Sequence, residues 1–141
     1  MNIRPNVELL ANFPDDTVED EHDIVEFPGR NITEALAAAL SGLGYRVSEP
    51  IYAGEHGWEL DFWWERQRMW MQITRMAGDE CFLMTKNMAS WLRPGLPIYK
   101  VFLSDLQRIL EDDDRFSSIA WVVEQYWLDN AKQAAAGPFE D

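Results

Sequence analysis

Cysteine and histidine are scarce in this chain, which limits the chemistry that it can perform. Cys81 is the single cysteine, and the only histidines are His22 and His56. A lone cysteine in a predicted strand beside Phe82 is expected to be a small buried apolar residue rather than a nucleophile. Neither histidine has a serine or cysteine in a recognisable nucleophile setting, and no second histidine or cysteine stands at metal-binding spacing from His22. We therefore expect neither a catalytic triad nor a metal site.

Long apolar runs and glycine-rich loops are missing as well. No apolar run approaches the roughly 20 residues of a membrane-spanning helix. The N-terminus shows no basic region followed by an apolar stretch, which argues against a secretory signal. Without a phosphate-binding loop, the sequence predicts no nucleotide and no other cofactor. We expect a soluble protein, and we place it in the cytoplasm.

Positive charge is the third scarcity. The chain has 12 lysines and arginines against 25 aspartates and glutamates, for a formal net charge of −13. This balance disfavours binding to nucleic acid or to anionic membrane surfaces, whereas a basic protein partner would be attracted. The same charge also favours solubility, so both interpretations stay open at this point.

Predicted strands between Tyr45 and Thr85 organise the chain. Residues 57–64 alternate with period two, which predicts a strand with one apolar and one polar face. The next predicted strand, after a polar turn, places three apolar residues on the same side. The residues expected on this shared core face are Trp58, Leu60, Phe62, Trp64, Met69, Met71 and Ile73.

The apolar pattern also predicts how the strands pair, because a slip of one residue would set apolar rows against polar ones. It places Phe62 opposite Met71. Tight turns at residues 54–55 and 77–80 then place Val47 opposite Phe62, and Ile73 opposite Met84. The result is a four-stranded antiparallel meander.

Helical periodicity predicts a helix on each side of the meander. Asn31 and Glu34 form a capping-box-like start, and an apolar stripe follows to Leu43. A second amphipathic helix is expected over residues 99–111, whereas residues 116–127 are compatible with helix or strand. The predicted fold is thus α+β, a two-layer sandwich in which an N-terminal helix, the meander and C-terminal helices follow in order, with the helices on one sheet face.

The prolines and acidic runs set the expected domain limits. Residues 1–23 are predicted to be a flexible acidic arm, because they bury too little apolar surface to offset the entropy of ordering. A single α+β domain is expected over residues 24–130. Residues 131–141, which contain Gly137 and Pro138, are predicted to be a flexible tail.

The polar face of the meander is the candidate site. It combines carboxylates with large aromatic side chains, and a face that only contacts solvent has no need of the latter. The candidate partner-binding residues are Glu59, Asp61, Trp63, Trp70, Gln72 and Thr74, and Thr85 is expected on the same face. A solvated face without a partner, and a homodimer contact, are the alternatives.

These features favour a small non-enzymatic protein-binding domain. The layout and acidity resemble those of bacterial secretion chaperones and toxin-immunity proteins, which implies a neutraliser or chaperone of a basic partner. The alternative is a small-molecule-binding protein or a hydrolase that uses the Glu59 and Asp61 carboxylates, because two carboxylates on one strand face suit such chemistry. A broad acidic surface would favour the first hypothesis, and a deep cleft the second.

Overall fold

The computed structural model describes residues 3–89, 95–123 and 134–139, and this part of the chain contains nine strands, two α-helices and one short 3-10 helix, Gly54–His56. The strands are β1 (Asn6–Ala11), β2 (Val18–Glu19), β3 (Ile24–Glu26), β4 (Arg46–Val47), β5 (Ile51–Tyr52), β6 (Trp58–Trp64), β7 (Gln67–Arg75), β8 (Glu80–Asn87) and β9 (Phe116–Val122). The helices are α1 (Arg30–Gly42) and α2 (Leu96–Asp112). Neither helix has the length and apolarity needed to cross a membrane.

Seven strands form one antiparallel sheet in the order β4-β6-β7-β8-β1-β9, with β5 also pairing with β6. The strands β2 and β3 form a separate hairpin. The α+β class with an antiparallel sheet is as predicted. The predicted layout is wrong in two respects, because the sheet is larger than a four-stranded meander and because a strand, not a helix, comes first in the chain.

The first strand lies inside the sheet, between β8 and β9. Val7 and Leu9 are buried, with Leu83 and Cys81 as their neighbours on β8. The sequence analysis assigned residues 1–23 to a flexible arm, yet Asn6–Ala11 has a hydrogen-bonded strand on both sides. The partners of β1 are at least 70 residues away in the chain, so local composition gives no sign of them.

The pairing of β6 with β7 differs from the predicted register by two residues. Phe62 lies opposite Met69 rather than Met71. The connection is a two-residue turn in which Glu65 adopts a left-handed backbone with φ of 55°, as such a turn requires. Because side chains alternate with period two, a shift of two leaves the predicted core face unchanged. The predicted pairing of Val47 with Phe62 is confirmed.

The pairing of β7 with β8 differs by one residue, and this changes which side chains face the core. Ile73 lies opposite Leu83 rather than Met84, because the Met76 N–H donates to the Glu80 carbonyl at 2.7 Å and shortens the turn. The predicted placement of Thr85 on the polar face is therefore wrong. Thr85 is buried, and its hydroxyl lies 2.7 Å from that of Tyr99 on α2.

Both helices bury their apolar stripes against one face of the large sheet. Ile32, Leu36 and Leu40 of the predicted stripe of α1 are buried, whereas Ala39 is half-buried and Leu43 is exposed beyond the end of the helix. Phe62 is at the centre, with its ring 4.6 Å from that of Phe102 on α2 and 6.1 Å from that of Tyr45. The buried residues of the helices are Ile32, Thr33, Leu36, Leu40, Tyr99, Phe102, Leu103, Leu106 and Leu110.

The start of α1 is held by a residue from the N-terminal segment rather than by Asn31. The Asp16 carboxylate accepts hydrogen bonds from the Gly29 and Asn31 backbone N–H groups, both at 2.8 Å. A carboxylate at this end of a helix satisfies unpaired N–H groups and opposes the positive end of the helix dipole. Asn31 lies within the first turn, and its side-chain amide donates to the Pro14 carbonyl at 2.8 Å.

The segment that the sequence left open between helix and strand is β9 as far as Val122. The predicted helical positions Tyr126 and Trp127 lie outside the described residues. Residues 134–139 of the predicted tail are hydrogen-bonded to the rest of the fold. Ala135 and Trp121 exchange backbone hydrogen bonds of 2.8 and 3.0 Å, and the Arg4 N–H donates to the Pro138 carbonyl at 2.6 Å.

Neighbouring leucines in β1 test its place in the sheet. Leu9 is 4% exposed and faces the core, whereas Leu10 is 38% exposed and faces the other way. We expect Leu9→Ala to lower the free energy of unfolding by about 2 to 5 kcal/mol, because it leaves a cavity in the core. Leu10→Ala should cost less than about 1 kcal/mol. Equal midpoints for the two variants in chemical denaturation would contradict the strand assignment.

Candidate functional site

The six residues predicted from the sequence lie together on the sheet face that points away from the helices, which we call the open sheet face. Cross-strand pairs join Glu59 to Gln72 and Asp61 to Trp70. Trp63 lies opposite Arg68, so the two tryptophans are diagonal neighbours rather than a direct pair. Thr74, the remaining predicted residue, lies at the end of β7, and its hydroxyl donates to the His56 carbonyl at 2.6 Å. Gln72, the next site residue on the same face of β7, is two residues away.

Both carboxylates of the open sheet face are already hydrogen-bonded within the protein. Glu59 accepts from the Trp70 indole N–H at 3.0 Å and from the Gln72 amide at 3.1 Å. Asp61 accepts from the Nε and Nη2 atoms of Arg68, at 3.0 and 2.8 Å. These bonds hold both carboxylates in place.

Cations from neighbouring strands lie over both tryptophans. The Arg46 guanidinium is 4.5 Å from the centre of the Trp63 ring, and the Lys86 ammonium is 5.5 Å from the centre of the Trp70 ring. With Arg68, three cations therefore share this face with Glu59 and Asp61. The open sheet face is close to charge balance, so the acidity of the chain is located elsewhere.

Much of that acidity surrounds a groove of about 600 Å³ beside the β2–β3 hairpin. We call this the acidic groove and the segment Val18–Glu26 the acidic hairpin. The groove residues come from the acidic hairpin, from the loops on either side of it, from the turn before β6, and from the end of β7. They are Asp15, Thr17, Glu19, Ile24, Phe27, Pro28, Glu55, Thr74, Arg75, Met76, Gly78 and Asp79. Four carboxylates thus meet one guanidinium there.

The cation of the groove is turned inward. The Arg75 side chain is buried, and its guanidinium donates to the carbonyls of Pro14 and Gly78 at 3.0 and 3.1 Å. Its contact with the Asp79 carboxylate is long, at 3.4 Å. Arg75 therefore ties together the loops that form the groove, and it leaves the groove surface negative.

Hydrogen bonds within the acidic hairpin, and in the loop before it, favour the ionised state of the carboxylates there. The Asp20 carboxylate accepts from the His22 and Asp23 backbone N–H groups at 2.9 and 2.8 Å, and these bonds lower its pKa. The hydroxyl and N–H of Thr17 lower the pKa of Asp15 in the same way. Bonds to a charged carboxylate stabilise it against protonation, so the negative charge persists at neutral pH.

A third feature lies at the opposite end of β6 from the acidic groove, and we call it the aromatic pocket. It has a volume of about 410 Å³ between the end of α1, the edge of β4 and β6, and the first turns of α2. The lining residues are Leu43, Tyr45, Trp64, Pro97, Ile98, Val101 and Asp105. The rings of Tyr45 and Trp64 meet edge to face with their centres 5.2 Å apart, and the Tyr45 hydroxyl donates to Asp105 Oδ2 at 2.7 Å.

Sequence reasoning missed the acidic groove and the aromatic pocket for different reasons. The acids of the groove were visible, but they were assigned to a flexible arm without structure. Tyr45 and Trp64 were both placed on the core face, which is correct, but the sequence does not show that this face is incompletely covered at the sheet edge. Asp105 gave no signal, because a single aspartate in an amphipathic helix is ordinary.

Among the described residues, neither a cluster of metal ligands nor an accessible thiol is found. Within the described ranges, no three histidine, cysteine, aspartate or glutamate side chains form a group that could hold a metal ion. Cys81 is buried on the core face of β8, and burial raises the pKa of its thiol to about 12. A thiol of that pKa is protonated at neutral pH and is a poor nucleophile.

No protein-family model, curated protein or solved structure matches this chain. The inference of function therefore depends on the open sheet face, the acidic groove and the aromatic pocket. The first is nearly neutral with its polar groups paired, the second is negative, and the third is mainly apolar with a single charged carboxylate.

The burial of Cys81 predicts that the thiol reacts only when the protein unfolds. We expect labelling by Ellman's reagent at neutral pH to be slower by several orders of magnitude in the native protein than in denaturant, because both access and thiolate formation are suppressed. The labelled fraction should follow the unfolding curve. Rapid labelling of the native protein would contradict this placement.

Proposed function

We propose that this chain is a non-enzymatic protein-binding domain that receives a basic partner at the acidic hairpin and the acidic groove. The observation that supports the proposal is the concentration of ionised carboxylates there without matching cations. A role as a neutraliser or chaperone of that partner, in the cytoplasm, is part of the same proposal. The charge of −13 would attract such a partner over a distance.

The pairing of charges supports this location. Four ion pairs join described residues, and none of them involves the acidic hairpin. The groove contributes only the long contact between Asp79 and Arg75. Uncompensated carboxylates close together repel one another, and a partner's lysines and arginines would relieve that repulsion.

Apolar side chains accompany the charges, as a protein interface requires. Val18, Ile24 and Val25 of the acidic hairpin are exposed, with Val25 at 52%. Phe27 and Met76 add apolar surface within the groove. Apolar contacts surrounded by charged groups are typical of specific interfaces, in which the charges steer association and the apolar centre supplies affinity.

The open sheet face remains a prediction as a second contact surface. Glu59, Asp61, Trp63, Trp70, Gln72 and Thr74 lie together, and Thr74 also lines the acidic groove, so one large partner would reach both. The paired charges of this face suit a rigid platform for aromatic contacts more than a site that attracts cations. It is also the surface through which the proposed alternative, a homodimer, would form.

Three glutamates near the groove test the proposal. Glu19→Gln, Glu21→Gln and Glu55→Gln, made together, remove three charges from exposed side chains. With a short lysine- and leucine-rich peptide as probe, we expect roughly tenfold weaker binding at about 0.05 M salt. Raising the salt to about 0.5 M should weaken wild-type binding by tenfold or more. Isothermal titration calorimetry measures both changes.

The matched control changes Glu49, Glu65 and Glu111, which are also exposed, to glutamine. It removes the same net charge but leaves the acidic groove intact, so binding should weaken by less than about threefold. Equal losses in the two triple variants would mean that only overall charge matters and would overturn the proposed location. Salt-independent binding would overturn the basic-partner proposal as a whole.

The two tryptophans of the open sheet face are tested with the same peptide and by sedimentation. We expect Trp63→Ser with Trp70→Ser to leave the fold intact while weakening either peptide binding or self-association by about tenfold, because aromatic anchors carry much of the energy of an interface. Unchanged binding and unchanged sedimentation would show that this face takes no part in either interaction.

A further inference from the structure

The aromatic pocket has the dimensions and the lining of a small-molecule site. Cavities that bind ligands commonly enclose about 300 to 1,000 Å³ and combine apolar walls with a few fixed polar groups. This pocket encloses about 410 Å³. It lies away from the acidic groove, so what it binds is a separate matter from the proposed protein-binding function.

The walls leave apolar surface in contact with water. Leu43 is exposed, Trp64 is 39% exposed, and Val101 is 59% exposed, although Tyr45 beneath them is buried. Apolar side chains grouped around a concavity gain free energy when a ligand displaces the water from them. The ring faces also provide negative electrostatic potential, which attracts cations.

The described lining of the pocket contains one charged group, which would fix the orientation of a ligand. Of the described residues that line it, Asp105 alone is charged, and none of the described ion pairs includes it. Arg108, one turn further along α2, lines the neighbouring cavity with Asp105 rather than the aromatic pocket. The hydrogen bond from Tyr45 occupies Oδ2 and fixes the carboxylate in place. The second oxygen, Oδ1, is then available to accept from a ligand.

The Tyr45 hydroxyl stays protonated and therefore continues to donate its hydrogen bond to the Asp105 carboxylate. Burial, together with the adjacent Asp105 carboxylate, raises the pKa of the Tyr45 hydroxyl far above its ordinary value. The hydroxyl therefore keeps its proton across the physiological range, and the negative charge of the pair stays on Asp105.

We propose that the aromatic pocket binds a small organic cation, namely a protonated amine attached to an aromatic or branched aliphatic group. The ammonium group donates to Asp105, and the apolar body packs between Trp64, Ile98 and Val101. A carboxylate beside apolar walls discriminates against anions, because an anion there would be both repelled and poorly hydrated.

Matched probes separate this proposal from simple apolar binding. 4-Phenylbutylamine and 5-phenylpentanoate share the same ring and chain and differ only in the sign of the terminal charge. We expect the amine to bind at least about tenfold more tightly than the acid, as followed by the NMR shift of the Trp64 indole N–H. Equal affinities, or no shift of Trp64 with either probe, would overturn the proposal.

Three variants locate the binding. Asp105→Asn keeps an acceptor for Tyr45 but removes the charge, and it should weaken amine binding by roughly tenfold while leaving the acid no weaker. Val101→Lys, at an exposed position that tolerates change, places a competing ammonium in the pocket and should have the same effect. Asp112→Asn, also on α2 but outside this pocket, is the control. Amine binding that survives the first two variants would overturn the proposal.

Discussion

The pairing of β1 with β8 and β9 is the interaction on which the rest of the structure depends. It joins residues 6–11 to residues 80–84 and 116–122, and it attaches β9 to the strands β4 to β8 as one sheet that supports both helices. Val7 and Leu9 complete the core on the side of α2. The same segment continues into Asp16, which holds the start of α1. The N-terminal residues therefore connect every layer of the fold.

The molecule separates three kinds of surface. Cations from β4, β7 and β8 neutralise the carboxylates of the open sheet face. The acidic groove is negative because four carboxylates face one arginine among its described residues, and that arginine is held by backbone carbonyls. The aromatic pocket stays open because α2 begins beyond Gly95, and the Leu43 side chain, past the last turn of α1, does not fill the gap. The character of each surface is thus determined by the ends of particular helices or by the side chains of neighbouring strands and loops.

Local periodicity in the sequence predicts the elements and their buried faces well, but it predicts the pairing of distant strands poorly. The alternation of Leu60 and Phe62, and the stripe of Ile32, Leu36 and Leu40, placed the central strand and α1 with the correct buried faces. The alternation of Val7 and Leu9 was present as well, but adjacent prolines and acidic residues suggested an arm. The registers of the strand pairs depend on turn geometry. The left-handed backbone at position 65 is adopted by a glutamate, so no glycine in the sequence indicates the turn. The six site residues were placed on one face correctly, whereas Arg46 and Lys86, which change the charge of that face, come from other strands.

The central position of β1 sets the order in which the chain becomes structured. The residues of β1 are synthesised before those of both its neighbours, because β8 and β9 exist only once residues 80–87 and then 116–122 have been made. β1 and β8 can pair once both have been made, but the other edge of β1 has unpaired backbone groups until β9 is synthesised, and such groups are prone to pair with other chains. Until β8 has been synthesised, the apolar side chains of Val7, Leu9 and Ala11 also remain exposed to water. The synthesis of β1 therefore precedes its pairing, and the acidic residues that follow it, between Asp15 and Glu26, repel the same residues of other copies of the chain during that interval.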